Sequence, residues 1–319
     1  MRIFKMMAIL SVFFTFAVAE IASAQDAQAE YQKQLEEWEK KKEEIEKKNA
    51  AKKAAAGEGA LENEMKRAYN DGNIALRKGR YSEAIAAYDE ALSIDSTYAV
   101  AHYGRGLALK KSRRTTDALE AFKACVRHDP TYAKGFFALG NAYADIDRHK
   151  DAIAAYERAV LNDPTDSRSY YQMGASYLSL NQPPKAVEAL QKAVEADPKY
   201  SQAYYTMGVA QVAQGSLSDA VASFSKSAEV KPSEATYYKL AETYNKLNRH
   251  SDALEAADKG LQEKADYAPA AFEAGLALKS MGRYNDAVSK FRIAAKNVKW
   301  KESAQYQIDD IDRLKKQGS

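Results

Sequence analysis

Alanine returns at one fixed interval through most of this chain. Ala84, Ala118, Ala152, Ala186, Ala220, Ala253 and Ala287 stand 34 residues apart, except for one interval of 33, where a residue is missing near Ser233. A period of that length means one supersecondary unit copied seven times. Such a unit is too small to bury its own apolar face and gains stability only by stacking on copies of itself. The same frame places a small residue twelve positions earlier, at Gly72, Gly106, Gly140, Gly174, Gly208, Ala241 and Gly275. It places a bulky one four positions later, at Tyr88, Phe122, Tyr156, Leu190, Phe224 and Phe291, and only Ala257 breaks that column. Pro130, Pro164, Pro198 and Pro232 close four of the units, where a residue that cannot continue a helix is wanted.

The unit is helical. No long segment alternates with the period of two that strands require, and glycine and proline number only 15 and 7 in 319 residues. A small residue on the first helix lets the framing alanine of the second approach, and the bulky residue fills the gap towards the neighbouring unit. Residues 65–301, read in this register, resemble the tetratricopeptide repeat. The resemblance implies an all-α, right-handed solenoid of seven helix-turn-helix repeats, at 65–98, 99–132, 133–166, 167–200, 201–233, 234–267 and 268–301. Residues 302–319, with Ala304, Ile308 and Ile311 along one side, fit a helix that caps the open end, followed by a tail.

The first 24 residues read as an export signal. Arg2 and Lys5 start it, Met6 to Ala19 is uncharged, and Ala22-Ser23-Ala24 offers a cleavage site. The uncharged run is too short to span a bilayer. A soluble periplasmic or secreted product is expected, with no membrane span once the signal is removed. Residues 25–56 follow as a charged helix: within 26–56 there are eight acids and eight bases, several Glu/Lys pairs four apart, and Tyr31, Leu35, Trp38 and Ile45 on one side. That pattern suits a lone solvated helix or a short coiled coil that makes a homo-oligomer through 26–56. Gly57, Gly59 and their small neighbours suggest a linker over 57–64.

No chemistry of catalysis stands out. His102, His128, His149 and His250 lie at no metal-binding spacing, and there is no phosphate loop and no activated nucleophile. The reading is of a protein that is not an enzyme and uses no cofactor and no metal. The sole cysteine, Cys125, falls in an interior column with Ala91, Ala159, Ala193 and Ala294 and is expected to be an inert core residue. A net charge of +3, or +2 without the signal, gives no reason to expect nucleic acid.

The binding surface is therefore sought on the repeats. In tetratricopeptide arrays the first helix of each unit lines a concave groove, and the resemblance assigns five positions per unit to it. The fifth position of the unit is aromatic in every repeat: Tyr69, Tyr103, Phe137, Tyr171, Tyr205, Tyr238 and Phe272. Such a ladder offers stiff contact area to a partner or else covers the helix pair beneath it. The groove positions also carry Lys66, Arg77, Lys110, Lys111, Lys134, Arg168, Lys246 and Lys279 against Asp145 and Glu242, with most of the bases in the first four repeats. The expected partner is a protein or peptide, with an acidic segment or a free C-terminus favoured by that balance. Asn73 and Asn141 occupy the place of the asparagine in the family's carboxylate clamps, but the clamp's lysine is replaced by the aromatic ladder, so the chaperone-clamp function is not expected. The joining of a charged segment to the repeats is similar in layout to Tol-Pal accessory proteins, and an oligomeric envelope scaffold is the alternative function.

Two local departures carry expectations. Asp71 and Arg105 stand where later repeats have Leu139, Met173, Met207 and Leu240, and they face each other as a possible ion pair across the first joint. The sixth repeat, with Ala257, Gly260 and Ala265, is expected to pack most loosely and to act as a flexible joint.

Overall fold

The computed structural model describes residues 57–317 together with Lys40 and Lys47. The signal, the cleavage site and the coiled-coil reading of 26–56 lie outside the described residues. Among the described residues there are fifteen α-helices and no strand. They run α1 (Glu58–Arg77), α2 (Tyr81–Ile94), α3 (Ala99–Lys111), α4 (Thr115–His128), α5 (Ala133–Ala144), α6 (His149–Asn162), α7 (Ser167–Ser179) and α8 (Pro183–Ala196). They continue as α9 (Ser201–Ala213), α10 (Leu217–Val230), α11 (Glu234–Lys246), α12 (His250–Glu263), α13 (Ala268–Ser280), α14 (Tyr284–Ala294) and α15 (Val298–Gln317). No helix among the described residues is long and apolar enough to cross a membrane.

The helices fall into two compact units, one ending at Ser112 and one beginning at Arg113. In the N-terminal unit α1 packs on α2, and α2 on α3. In the C-terminal unit each first helix packs on its own second helix, and each second helix on the next first helix, from α5 to α15. Two backbone devices make the repeat turn. Within each pair the residue two before the second helix adopts positive φ: Gly79, Arg113, Asp147, Asn181, Gly215, Asn248 and Gly282. Glycine, asparagine and aspartate tolerate that conformation best and fill six of the seven places, Arg113 being the exception. Between pairs, the carboxylates of Asp95, Asp129, Asp163 and Asp197 accept from the backbone N–H two residues on, which fixes the reversal into the next helix.

The framing alanines carry the close contacts. Ala84, Ala152, Ala186, Ala220, Ala253 and Ala287 are fully buried. The bulky column is buried too, and where both members of a pair belong to one unit it lies against the small one. A Cβ added at Gly72 falls 2.7 Å from the Tyr88 ring, at Gly208 2.7 Å from Phe224 and at Gly275 2.6 Å from Phe291. Glycine there is a steric requirement, because no methyl fits beneath the ring. Cys125 is fully buried, as expected, and burial pushes its thiol up to about 12.

Four expectations need correction. The stretch 57–64 is not a linker: α1 starts at Glu58, and Leu61, Met65 and Ala68 form its buried stripe. Gly59 and Ala60 look like spacer residues, but the apolar positions that follow at helical spacing decide the conformation. The capping helix begins at Val298, inside the span assigned to the seventh repeat, and Ala304 and Ile311 are its fully buried residues. Arg105 does not pair with Asp71. Its Nε donates to Asp89 Oδ1 at 2.6 Å, a carboxylate one helix nearer, while Asp71 is exposed.

The sixth repeat is not loose. Ala241 stands where its neighbours have glycine and Ala257 where they have a ring, and both are fully buried. The methyl of Ala241 sits on a helix whose partner has given up the knob, so the two changes offset in volume. The small residues bring helices together. A Cβ at Gly260 would meet the Cβ atoms of Ala270 and Tyr237 at 3.3 Å each, and α11 touches α13 directly. At that contact Glu273 is buried, and Asn245 Nδ2 donates to its carboxylate at 2.9 Å. Burial raises the Glu273 carboxyl above the usual range despite that bond.

Candidate functional site

The ladder residues lie on the first helices, five positions into each repeat, so helical geometry brings them to one face of each unit in turn. All seven are half-buried. In the N-terminal unit Tyr69 sits between two rings, with its centroid 5.9 Å from Tyr88 and 5.4 Å from Tyr98. In the C-terminal unit Phe137 rests 6.1 Å from Tyr156, Tyr205 5.7 Å from Phe224, and Phe272 5.4 Å from Phe291. Each therefore covers the buried knob of its own repeat. Tilted and edge-on contacts at these distances are the favourable arrangement for aromatic pairs.

A second aromatic column, missed in the sequence, covers the other side of the ladder. Tyr98 lies on Tyr69; Tyr200 lies 5.1 Å from Tyr171, and Tyr267 6.3 Å from Tyr238. Trp300 reaches both Tyr238, at 6.5 Å, and Phe272, at 4.9 Å. The tyrosines are the last residues of their repeats, a place that the alanine frame would have revealed. Phe137 has Asp166 at that place, and the Arg168 guanidinium stacks over its ring instead, 5.2 Å from the centroid. The ladder is thus both packing and surface: its rings rest on neighbouring side chains and yet stay half-exposed.

The basic residues divide. Lys66 Nζ is 2.6 Å from Glu62, Arg168 Nε 3.0 Å from Asp166, Lys246 Nζ 2.9 Å from Glu242 and Lys279 Nζ 2.6 Å from Asp310. Three of those acids lie outside the groove positions, so the excess of bases counted there overstates the field. Lys279 is further held by Gln307 at 2.6 Å. Arg77, Lys111 and Lys134 are exposed, and Lys110 is half-buried.

Asn73 and Asn141 have a role of their own. Tyr88 Oη donates to Asn73 Oδ1 at 2.8 Å, and Tyr156 Oη donates to Asn141 Oδ1 at 2.8 Å. Burial pushes the Tyr88 phenol up to about 12 and raises that of Tyr156 as well. The asparagine therefore appears in the repeats whose knob is tyrosine. Repeats with a phenylalanine or leucine knob have Leu107, Ala175, Val209 or Leu276 at that position. A buried hydroxyl needs an acceptor and a hydrocarbon does not. Asn73→Leu alone is expected to cost about 1–3 kcal/mol, because it strands the phenol. Asn73→Leu with Tyr88→Phe reproduces the Leu276/Phe291 pair of the last repeat and is expected to fall within about 1 kcal/mol of wild type. Urea unfolding of the three variants measures both; equal losses for the single and double variants would show that the asparagine is not there for the phenol.

Among the described residues no cluster of His, Cys, Asp or Glu is arranged to hold a metal ion.

Comparison with known proteins agrees with this architecture. Family models described as TPR repeat and tetratricopeptide repeat match residues 72–112, 103–167 and 167–200. No curated protein matches the chain. Among solved structures, the MamA protein is similar at 29% identity, with 52% of this chain and 91% of that one covered and a TM-score of 0.50. The C-terminal part of a TPR repeat-containing protein from Cytophaga hutchinsonii matches at 17% identity over 73% of this chain and 98% of its own, with a TM-score of 0.63. YrrB, described as a TPR protein with an unusual peptide-binding site, matches at 24% identity over 58% and 95%, with a TM-score of 0.52. Helix pairs at a 34-residue period, glycine beneath a ring in pair after pair, and these matches agree on one conclusion: the chain is a tetratricopeptide-repeat protein, an all-α repeat solenoid.

Proposed function

We propose that this protein is an adaptor that holds a peptide or an extended protein segment on the first-helix faces of its repeats. The observation that carries this reading is the half-open aromatic ladder. Phe137 and Tyr205 rest on the rings of Tyr156 and Phe224, Tyr171 lies against Tyr200, and all three stay half-exposed, so a partner gains contact area without having to order them. Exposed Lys134 in the same unit, and Arg77 and Lys111 in the N-terminal unit, favour an acidic segment or a chain terminus by charge. A structural relative described as having a peptide-binding site shares the fold, which supports the class of partner and not its identity. The signal-like first 24 residues support an adaptor working outside the cytoplasm, in the periplasm or secreted.

A random peptide library displayed on phage and selected against the purified protein tests the reading. Selected peptides are expected to be enriched in acidic residues and to bind more weakly as salt rises. Tyr171→Ala is expected to weaken them by about tenfold or more, the range of a buried aromatic contact at an interface. Lys134→Glu is expected to lower the association rate and flatten the salt dependence. Peptides whose affinity ignores salt and both variants would place the binding surface elsewhere.

A further inference from the structure

The missing residue opens a place in the ladder. In repeats four and six the last residue is a tyrosine whose ring covers the ladder residue of the same repeat, Tyr200 on Tyr171 and Tyr267 on Tyr238. The fifth repeat ends one residue short, and its last residue is Ser233. The backbone there differs accordingly. Ser233 is extended, at φ −158° and ψ 148°, where Tyr200 has −79° and 76° and Tyr267 −72° and 95°. Tyr205 is left with Phe224 beneath it, and no second ring among the described residues meets it. In place of that ring is a cavity of about 300 Å³ lined by Tyr205, Ser201, Ser227, Lys231, Ser233 and Thr236. It opens beside Gln202 and Ala235, both first-helix surface positions, so it belongs to the face proposed above for a peptide.

The neighbouring repeat shows what fits. Lys264 occupies in repeat six the place of Lys231 in repeat five, and its Nζ lies over the Tyr267 ring, 5.8 Å from the centroid. Lys231 keeps the cation of that arrangement without the ring. The cavity walls are held without a ligand. Ser201 and Ser227 hydrogen-bond each other at 3.2 Å, and Ser233 Oγ bonds Thr236 Oγ1 at 2.9 Å while accepting from the Thr236 backbone N–H. Ser227 and Thr236 are buried in the wall, whereas Ser201 and Ser233 are half-exposed, so theirs are the hydroxyls that a phenol can reach.

We infer that this cavity is an aromatic subsite of the peptide-binding face: a tyrosine of the bound partner takes the place of the tyrosine that the fifth repeat lacks. The partner ring lies against Tyr205, Lys231 lies over its face as Lys264 does over Tyr267, and its hydroxyl meets those of Ser201 and Ser233. The inference rests on the reading of the first-helix face as the site of a peptide and adds which side chain the peptide must carry at repeat five.

The test uses three blocked tripeptides, Ac-Gly-Tyr-Gly-NH2, Ac-Gly-Leu-Gly-NH2 and Ac-Gly-Glu-Gly-NH2, titrated into the isotope-labelled full chain and followed by amide chemical shifts. The tyrosine probe is expected to shift the amides around Ser227, Ser233 and Thr236 and to bind at least about tenfold more tightly than the leucine probe. Lys231→Ala is expected to weaken the tyrosine probe and leave the leucine probe unchanged. Replacing Ser233 by the dipeptide Thr-Tyr restores the 34-residue interval with a residue pair that the chain already uses before α5, and it is expected to abolish tyrosine-probe binding with the helical content unchanged. Shifts caused by the glutamate probe alone, equal binding of the tyrosine and leucine probes, no shifts with any probe, or tyrosine binding that survives the restored interval would each overturn the inference. Library peptides that still bind the restored chain at full strength would leave the adaptor reading standing while this subsite falls.

Discussion

Tyr156→Ala is expected to cost about 3–5 kcal/mol, among the largest losses available to a single substitution in this chain. The ring is almost wholly buried, covers Gly140 and supports Phe137 from below. Gly140→Ala is expected to cost about 1–3 kcal/mol in the wild type, because its methyl falls within the van der Waals surface of the Tyr156 ring. In the Tyr156→Ala background the same substitution is expected to reverse sign and recover on the order of 1 kcal/mol. The methyl then enters the space the ring has left, and alanine is the better helix former. The sixth repeat already contains this pair, with Ala241 at the glycine position and Ala257 at the knob, both fully buried. A double-mutant cycle by urea unfolding separates the effects. A Gly140→Ala penalty of equal size in both backgrounds would refute the steric account of the two columns.

Ile311→Asp is expected to be of similar size, about 4 kcal/mol or more, since it removes a buried side chain and places a carboxylate in hydrocarbon. Ile311 is fully buried in a cluster with Ala268, Leu278, Phe291 and Ala304, where α15 closes the last helix pair. Loss of α15 also frees Lys279 from Asp310 and Gln307, and exposes the apolar side of α13 and α14. In a repeat array each unit contacts only its neighbours, so the damage should spread from the end. Amide hydrogen exchange is expected to show protection lost in α15, then in α13 and α14, with α1 to α3 unchanged. Leu314→Asp, at a residue 39% exposed on the same helix, serves as the control and is expected to change little. Uniform loss of protection through all helices would mean that the array melts as one cooperative body.

The two variants probe what could be read at different depths. The columns of alanine, glycine and ring were legible because one period repeats them, and a period survives in a linear sequence. Ala304 and Ile311 were legible for the same reason, since they continue the apolar spacing of a helix. Less of the candidate site was visible. The ladder itself was readable, but the ring covers come from the ends of repeats, as Tyr98, Tyr200 and Tyr267, or from the capping helix, as Trp300, and only folding lays them beside the first helices. Asn73 and Asn141 stood out as groove residues because they occupy the place of the asparagine in the family's carboxylate clamps. The buried phenols that claim them are fifteen residues away.

Charge was read least well, because ion pairs form between residues whose separation depends on helix packing. Arg105 reaches Asp89 sixteen residues back rather than Asp71, and Lys279 reaches Asp310 thirty-one residues ahead. The sixth repeat failed as a joint for a related reason. Alanine and glycine mean looseness only if nothing moves in to fill the space, and here α11 and α13 do. By itself the sequence determined the helix pair, its seven copies, the residue missing before α11 and the aromatic at the same place in every repeat, since each is a local or periodic property. Tertiary structure alone decided which polar groups are already satisfied, which bases are neutralised, and that the missing residue leaves Tyr205 with an open side. Those outcomes depend on distances between residues far apart in the chain, and only close packing sets such distances.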